Sequence, residues 1–160
     1  MNLDFFKKIR ILDGGMGQEL LARGMEHNST LWSANAILDK KYHKLVLDTH
    51  KDFIRAGAEI IVTTTFATRK KRLKENNIED KFEYLNAKAG EIAKIAKKLN
   101  PHILIAWGLP PQDDTYVADD RADDLIRENF YDQAKVLNPF IDFFYFDVLS
   151  SIKEINLAIE

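Results

Sequence analysis

Four short apolar runs, each followed by a helix-patterned stretch, constrain the fold of this chain more than any other feature. They are Ile9–Leu12, Glu59–Phe66, Ile103–Trp107 and Asp142–Asp147. The second, EIIVTTTF, is β-branched with little alternation, as expected of a strand covered on both faces. Gln18–Ala22 reads as a helical turn or two after the first run, and Glu26–Ala36 as a polar loop lying over that strand's end. Tyr42–Ala56 sets Leu45, Val46, Phe53 and Ile54 at helical spacing and stops at Gly57, the residue type favoured just past a helix C-terminus. Thr68–Lys74 reads as a basic helix. Lys81–Leu99 carries Phe82, Leu85, Ala89, Ile92, Ala93 and Ala96 on one stripe before Pro101. Gly108 closes the third strand, Leu109–Ala118 is a long loop, and Asp120–Leu137 turns Leu125, Ile126, Phe130, Ala134 and Leu137 inward. Ser150 or Ser151 caps a last helix. Strand–helix order repeated four times predicts an α/β domain over residues 1–160, built on a parallel sheet with right-handed crossovers. Four such units cannot close an eight-stranded barrel. The sheet is therefore either open and flavodoxin-like or the parallel (βα)4 half of a TIM (β/α)8 barrel.

In parallel α/β folds the ligand sits at the C-terminal edge of the sheet. All four runs end there in polar or small residues: Asp13, Thr64 and Thr65, Gly108, and Asp147. The first end is the most specific, because Asp13 opens Asp-Gly-Gly-Met-Gly. Gly14, Gly15 and Gly17 can take positive φ and leave no side chain between backbone and ligand. A carboxylate beside free backbone N–H groups suits a small ligand carrying both an ammonium and a carboxylate. Nucleotide motifs fail at this position. Leu20 stands where a dinucleotide fingerprint needs its last glycine, and no Gly-Lys-Ser/Thr follows for a phosphate loop.

Composition excludes other classes. A formal charge of −2 offers no basic surface for nucleic acid, and no apolar run approaches the roughly 20 residues of a membrane span. MNLDFFKKIR lacks the apolar core of a secretory signal, so the expected location is cytoplasmic. The chain has no cysteine and hence no thiolate ligand or nucleophile. His27, His43, His50 and His102 lack the i, i+4 spacing of two ligands on one helix, and are expected in solvent-exposed or helix-packing roles. The acids Asp113, Asp114, Asp119, Asp120, Asp123 and Asp124 lack a calcium-loop register and are expected to cap and charge a helix start. Arg69–Arg72 (RKKR) is expected on a solvated helix face, open to an anionic ligand.

Three blocks taken together, LDGGMGQELLARG, LWSANAILD and DTHKDFIRAGAEIIVTTTF, resemble the N-terminal half of the homocysteine S-methyltransferases. That family includes betaine–homocysteine methyltransferase and the homocysteine-binding module of cobalamin-dependent methionine synthase. The resemblance implies a (β/α)8 barrel that binds homocysteine and a methyl donor and holds zinc through cysteines of its C-terminal half. Coordination to zinc ionises a thiol whose free pKa is about 8.5. It implies that Asp13 and the backbone of Gly14 and Gly15 lie against homocysteine, and that Asp147 takes the ammonium. Thr64, Thr65 and Phe66 stand in the family's Thr-Asn-Thr-aromatic block. The chain departs from the pattern at Asp147-Val148, where the family has Glu-Thr, and Asp is shorter by about one C–C bond of ~1.5 Å. On this reading the chain supplies the amino-acid-binding half, with the zinc ligands on a complementary C-terminal half-barrel or the sheet edges covered by a homo-oligomer. The alternatives are a non-catalytic truncated or split-gene fragment that binds an amino acid weakly, and a flavodoxin-like binding domain.

Overall fold

The computed structural model describes residues 3–160, so Met1 and Asn2, where the expected domain and the segment read for a secretory signal both begin, lie outside the described residues. Its sheet holds β1 (Ile60–Val62), β2 (Leu104–Leu109) and β3 (Phe143–Phe146), all parallel and in that spatial order. The first predicted strand is present only as the bridge Leu12–Ile60, with Asp13 N donating to Ile60 O at 3.0 Å and Glu59 N to Ile11 O at 2.9 Å. Sheet order therefore follows chain order, with no point at which the strand order reverses. The first run is so short because, among the described residues, nothing pairs with its outer side: Ile9 is 97% exposed and Ile11 58%.

The helices are α1 (Met16–Ala22), α2 (Asn35–Leu38), α3 (His43–Arg55), α4 (Lys70–Glu75), α5 (Phe82–Lys97), α6 (Asp123–Leu137) and α7 (Ile152–Ile159). Strand side chains alternate faces. Ile61 and Ile105 pack against Ile54 of α3 and Ala93 and Ala96 of α5. Trp107 and Leu109 pack against Ile126, Phe130 and Leu137 of α6 and Leu157 of α7. The opposite face carries Val62, Ala106, Gly108 and Tyr145, brought level by the register. At the far end of that face from the strand C-termini, the ring of Phe6 meets Phe143 edge-on at 5.1 Å, so the 3-10 helix Leu3–Lys7 plugs its base.

Several sequence expectations shift for identifiable reasons. The polar loop Glu26–Ala36 contains a 3-10 helix, Trp32–Ala34, and the start of α2, because its small residues Ala34 and Ala36 fit a core built around Leu20, Ile37, Val46 and Leu85. Gly108 does not close β2 but lies inside it, opposite Tyr145. β1 stops earlier than expected: Thr65 N turns back to Thr63 O at 2.8 Å and the hydroxyls of Thr63 and Thr65 meet at 2.7 Å, local bonds that compete with the ladder. Leu125 is exposed on α6 rather than buried. Ser151 is the residue that caps α7, accepting from Glu154 N at 3.2 Å while the Glu154 carboxylate takes the Ser150 N–H.

The two charge runs find each other. Lys71 pairs with Asp113 at 2.9 Å and Asp114 at 2.7 Å, and Arg121 with Asp119 at 2.6 Å. Arg69 is buried beneath that loop and donates to the Thr115 hydroxyl at 3.1 Å. The basic stretch is thus not a solvated face throughout. Of the acidic run, only Asp123 and Asp124 occupy the first turn of α6, whose N-cap, Ala122, has no side chain to offer.

Candidate functional site

A cavity of about 270 Å³ opens at the C-terminal ends of the strands. Asp13, Gly14, Gly15, Thr64, Phe66 and Asp147 all line it, drawn from sites scattered over the whole chain. Thr65 is the exception. It is fully buried behind the cavity, and its carbonyl accepts from the Thr68 hydroxyl at 2.9 Å and from Gln133 Nε2 at 3.2 Å. It anchors the turn after β1 to α6 and does not reach a ligand there.

Asp13 is aimed by its backbone. Its own N–H is bound to Ile60 O, and its Oδ2 accepts from Val62 N at 2.9 Å, which fixes the carboxylate over the end of β1. The side chain is only 4% exposed. Burial pushes the carboxyl up to about 7, against the pull of the Val62 N–H, so near neutrality the group is close to half-protonated. Behind it lies His50 of α3, wholly buried, with Nδ1 at 3.9 Å from Asp13 Oδ2 and Nε2 at 3.4 Å from the Thr64 hydroxyl. Burial holds that imidazole neutral, down to about 4.

Asp147 enters from the other side. Burial raises its carboxyl above the ordinary range, while the Tyr145 hydroxyl bonds to it and opposes the rise. Tyr145, half-buried beside both Asp147 and Asp13, is pushed well above an ordinary phenol by desolvation first and by those two charges second. Tyr145 of β3 and Asp147 just past it lie across β2 at Gly108: a Cβ there would stand 2.7 Å from Asp147 Oδ2 and 3.0 Å from the Tyr145 hydroxyl. Val148, next in the chain, has φ of +63°, a strained conformation for a β-branched residue that turns the backbone sharply past the acid.

The glycines serve by their size. Neither Gly14, Gly15 nor Gly17 takes positive φ; among the described glycines only Gly24 and Gly57 do. A Cβ on Gly17 would fall 2.5 Å from Trp32 Nε1, and one on Gly14 2.9 Å from the Phe53 ring. Trp32, itself at φ +50°, thereby closes over the turn and walls the cavity.

Tyr145, Trp32 and His50 are site residues that the sequence reading missed. Tyr145 carried a signal, since it stands two residues before Asp147 and so on the same face of a strand. Trp32 and His50 are brought in by tertiary contacts alone.

The cavity lining holds two carboxylates, a phenol and threonine hydroxyls, with no lysine, arginine or histidine. That suits an ammonium. It does not suit zinc. Among the described residues no group of three His, Cys, Asp or Glu can hold a metal ion, and the chain has no cysteine.

A family model described as homocysteine S-methyltransferase matches residues 10–160. The chain belongs to the homocysteine S-methyltransferase family. Homocysteine S-methyltransferase 2 of Saccharomyces cerevisiae is 37% identical over 89 residues, covering 50% of this chain and 27% of the yeast protein. The Homocysteine S-methyltransferase of Escherichia coli is 29% identical over 119 residues, covering 69% of this chain and 37% of that protein. The fold is similar to that of the crystal structure of the homocysteine methyltransferase MmuM from Escherichia coli in its metallated form. The TM-score is 0.82 and the identity 24%, over 96% of this chain and 59% of that one. This homocysteine S-methyltransferase family chain is thus an α/β fold of parallel strands that spans well under two thirds of the relatives it matches.

Proposed function

We propose that this chain forms the amino-acid-binding face of a homocysteine S-methyltransferase and is the (βα)4 half of a (β/α)8 barrel. The observation that carries the reading is a buried acid, Asp13, and a half-buried one, Asp147, sharing one small cavity that has no basic side chain in its lining. Such a site is unfavourable for its own charges and favourable for a cation that fits between them. The ammonium of homocysteine is that cation. As it enters, it favours ionised Asp13, and the displaced proton leaves to solvent. The Thr63 and Thr64 hydroxyls and the backbone of Gly14 and Gly15 face the rest of the zwitterion. Tyr145 holds Asp147 in place, and Trp32 and Phe66 wall the side chain away from water. The residues here bind and orient; the metal that activates the sulfur, and the choice of methyl donor, belong to polypeptide outside these 160 residues.

Sheet order supports the half-barrel over the flavodoxin-like alternative, because chain-order neighbours all in parallel are what a barrel requires. Calorimetric titration of the chain with L-homocysteine tests the binding reading. The expected result is saturable binding, weakened at least tenfold at pH 8 in Asp13→Asn or Asp147→Asn, since each removes one charge facing the ammonium within a water-poor pocket. Equal affinity in wild type and both variants overturns it.

A further inference from the structure

Among the described residues, His50 is the buried titratable group beside the cavity to which the binding reading gives no task. It lies wholly inside the protein, and its Nδ1 has no hydrogen-bond partner. A buried polar atom without a partner is expensive and calls for an explanation. Three facts supply one. Nε2 faces the Thr64 hydroxyl at 3.4 Å, a residue on the cavity wall. Nδ1 faces Asp13 Oδ2 at 3.9 Å, slightly beyond hydrogen-bond reach. The same Oδ2 is held on its other side by Val62 N–H at 2.9 Å, so the carboxylate cannot swing away.

We propose that His50 is the positioning residue of the substrate-binding carboxylate: Thr64 donates to Nε2, which leaves the hydrogen on Nδ1, and that N–H closes onto Asp13 Oδ2 when Asp13 ionises. The proposal rests on the reading of Asp13 as the ammonium-binding acid and adds the device that sets its charge. With Asp13 protonated, Oδ2 attracts the imidazole N–H weakly and the gap stays open. Once Asp13 is ionised, a short movement gives Oδ2 a charge-assisted bond in a setting of low dielectric. His50 itself remains neutral throughout, since burial disfavours the imidazolium. No proton is transferred between the two; the imidazole is a donor held in one tautomer.

Tyr145 of β3 and Asp147 just past it share the cavity with Asp13. β1 presents the Val62 amide and the turn after it threonine hydroxyls, and the Gly14–Gly17 turn presents no ionisable side chain. Tyr145 and Asp147 act on Asp13 equally in wild type and in His50 variants, so a change in those variants reports on the imidazole.

The test is carbon-13 and nitrogen-15 NMR on the full chain without ligand, followed by titration with L-methionine, a zwitterion with no thiol to titrate. Asn at residue 50 keeps an N–H near the place of Nδ1, whereas Gln keeps its polar group near the place of Nε2. The expected result is an Nδ1–H tautomer in wild type from pH 5 to 9. His50→Gln moves the Asp13 titration midpoint upward by about one pH unit and His50→Asn leaves it within a few tenths, the size typical of one hydrogen bond to a charged form. A merely structural histidine would shift both variants alike. An Nε2–H tautomer in wild type, which needs no variant to fold, overturns the proposal, as does an unmoved midpoint in His50→Gln. L-methionine then separates the two readings. No binding by wild type counts against the amino-acid site while the midpoint still reports on His50. Binding that weakens about tenfold at pH 7 in His50→Gln alone supports both.

Discussion

Asp13 and His50 carry opposite pH dependences of stability, and their windows nearly coincide. Asp13 has an ordinary value of 3.8 when unfolded and about 7 when folded. Its folded form thus keeps a proton that the unfolded form has lost, so its penalty is absent below about 4, grows as pH rises, and reaches about 4 kcal/mol above 7, at ~1.36 kcal/mol per pH unit. His50 runs from 6.5 unfolded to about 4 folded. Its penalty is absent above about 6.5 and grows as pH falls, to about 3 kcal/mol below 4. Between about pH 4.5 and 6.5, where the windows overlap, the two slopes cancel and wild-type stability should be nearly flat. Asp13→Asn should expose the histidine, with stability rising with pH through that window. His50→Gln should expose the aspartate, with stability falling. Urea unfolding at several pH values checks both signs, and a flat profile in either variant refutes the assignment. Of these two residues only the acid was legible in the sequence. Asp13 and Asp147 end apolar runs, and a strand end in a parallel sheet is where a ligand goes. His50 stands seven residues from His43 within a helix, and no spacing rule says which face of that helix meets the first strand. Its role depends on a tertiary contact, as does that of Trp32 over Gly17.

At the scale of elements, periodicity gave the long helices to within a few residues, because α3, α5 and α6 each bury a continuous stripe against the sheet. It misjudged the ends of the strands. Threonine hydroxyls draw the backbone of β1 into a turn before its predicted end, and the first strand has no partner along its outer side among the described residues. Gly108 is the instructive case. A glycine after an apolar run reads as a stop, yet here it continues β2, paired with Tyr145, and the side chains of Tyr145 and Asp147 cross over it. Pairing the loop acids with the basic stretch was equally hidden, since Lys71 and Asp113 are far apart in sequence. Gly108→Ala should therefore lower stability by about 1–3 kcal/mol, the range for inserting a methyl group into a filled site, and displace Asp147. Gly15→Ala should change stability by less than about 0.5 kcal/mol, because its Cβ would meet nothing nearer than Gln18 at 3.9 Å. Thermal unfolding of the two variants side by side distinguishes a steric requirement from a general intolerance of the glycine turn.

For the molecule as a whole, the outer edge of β3 decides what the chain must do next. Phe144 is 51% exposed and Phe146 42%, and both belong to a strand with a neighbour on one side only. Beside them a groove of about 440 Å³ runs along the helix side of the sheet, walled by Trp107, Phe130, Phe144 and Leu157. An unpaired strand flanked by apolar side chains is a template for another strand. This chain covers 59% of the matched MmuM chain. Sedimentation should accordingly find the isolated chain self-associating, with the edge strands covered. Mixing it with the C-terminal part of the Escherichia coli protein should then give a one-to-one complex. If the amino-acid face belongs to an enzyme, that complex retains zinc and converts homocysteine to methionine, while neither part does so alone. A complex that binds homocysteine but holds no zinc and transfers no methyl group would leave the non-catalytic fragment as the better reading. A stable monomer with β3 resistant to amide exchange would contradict the half-barrel itself, since an open edge strand should exchange fastest of the three.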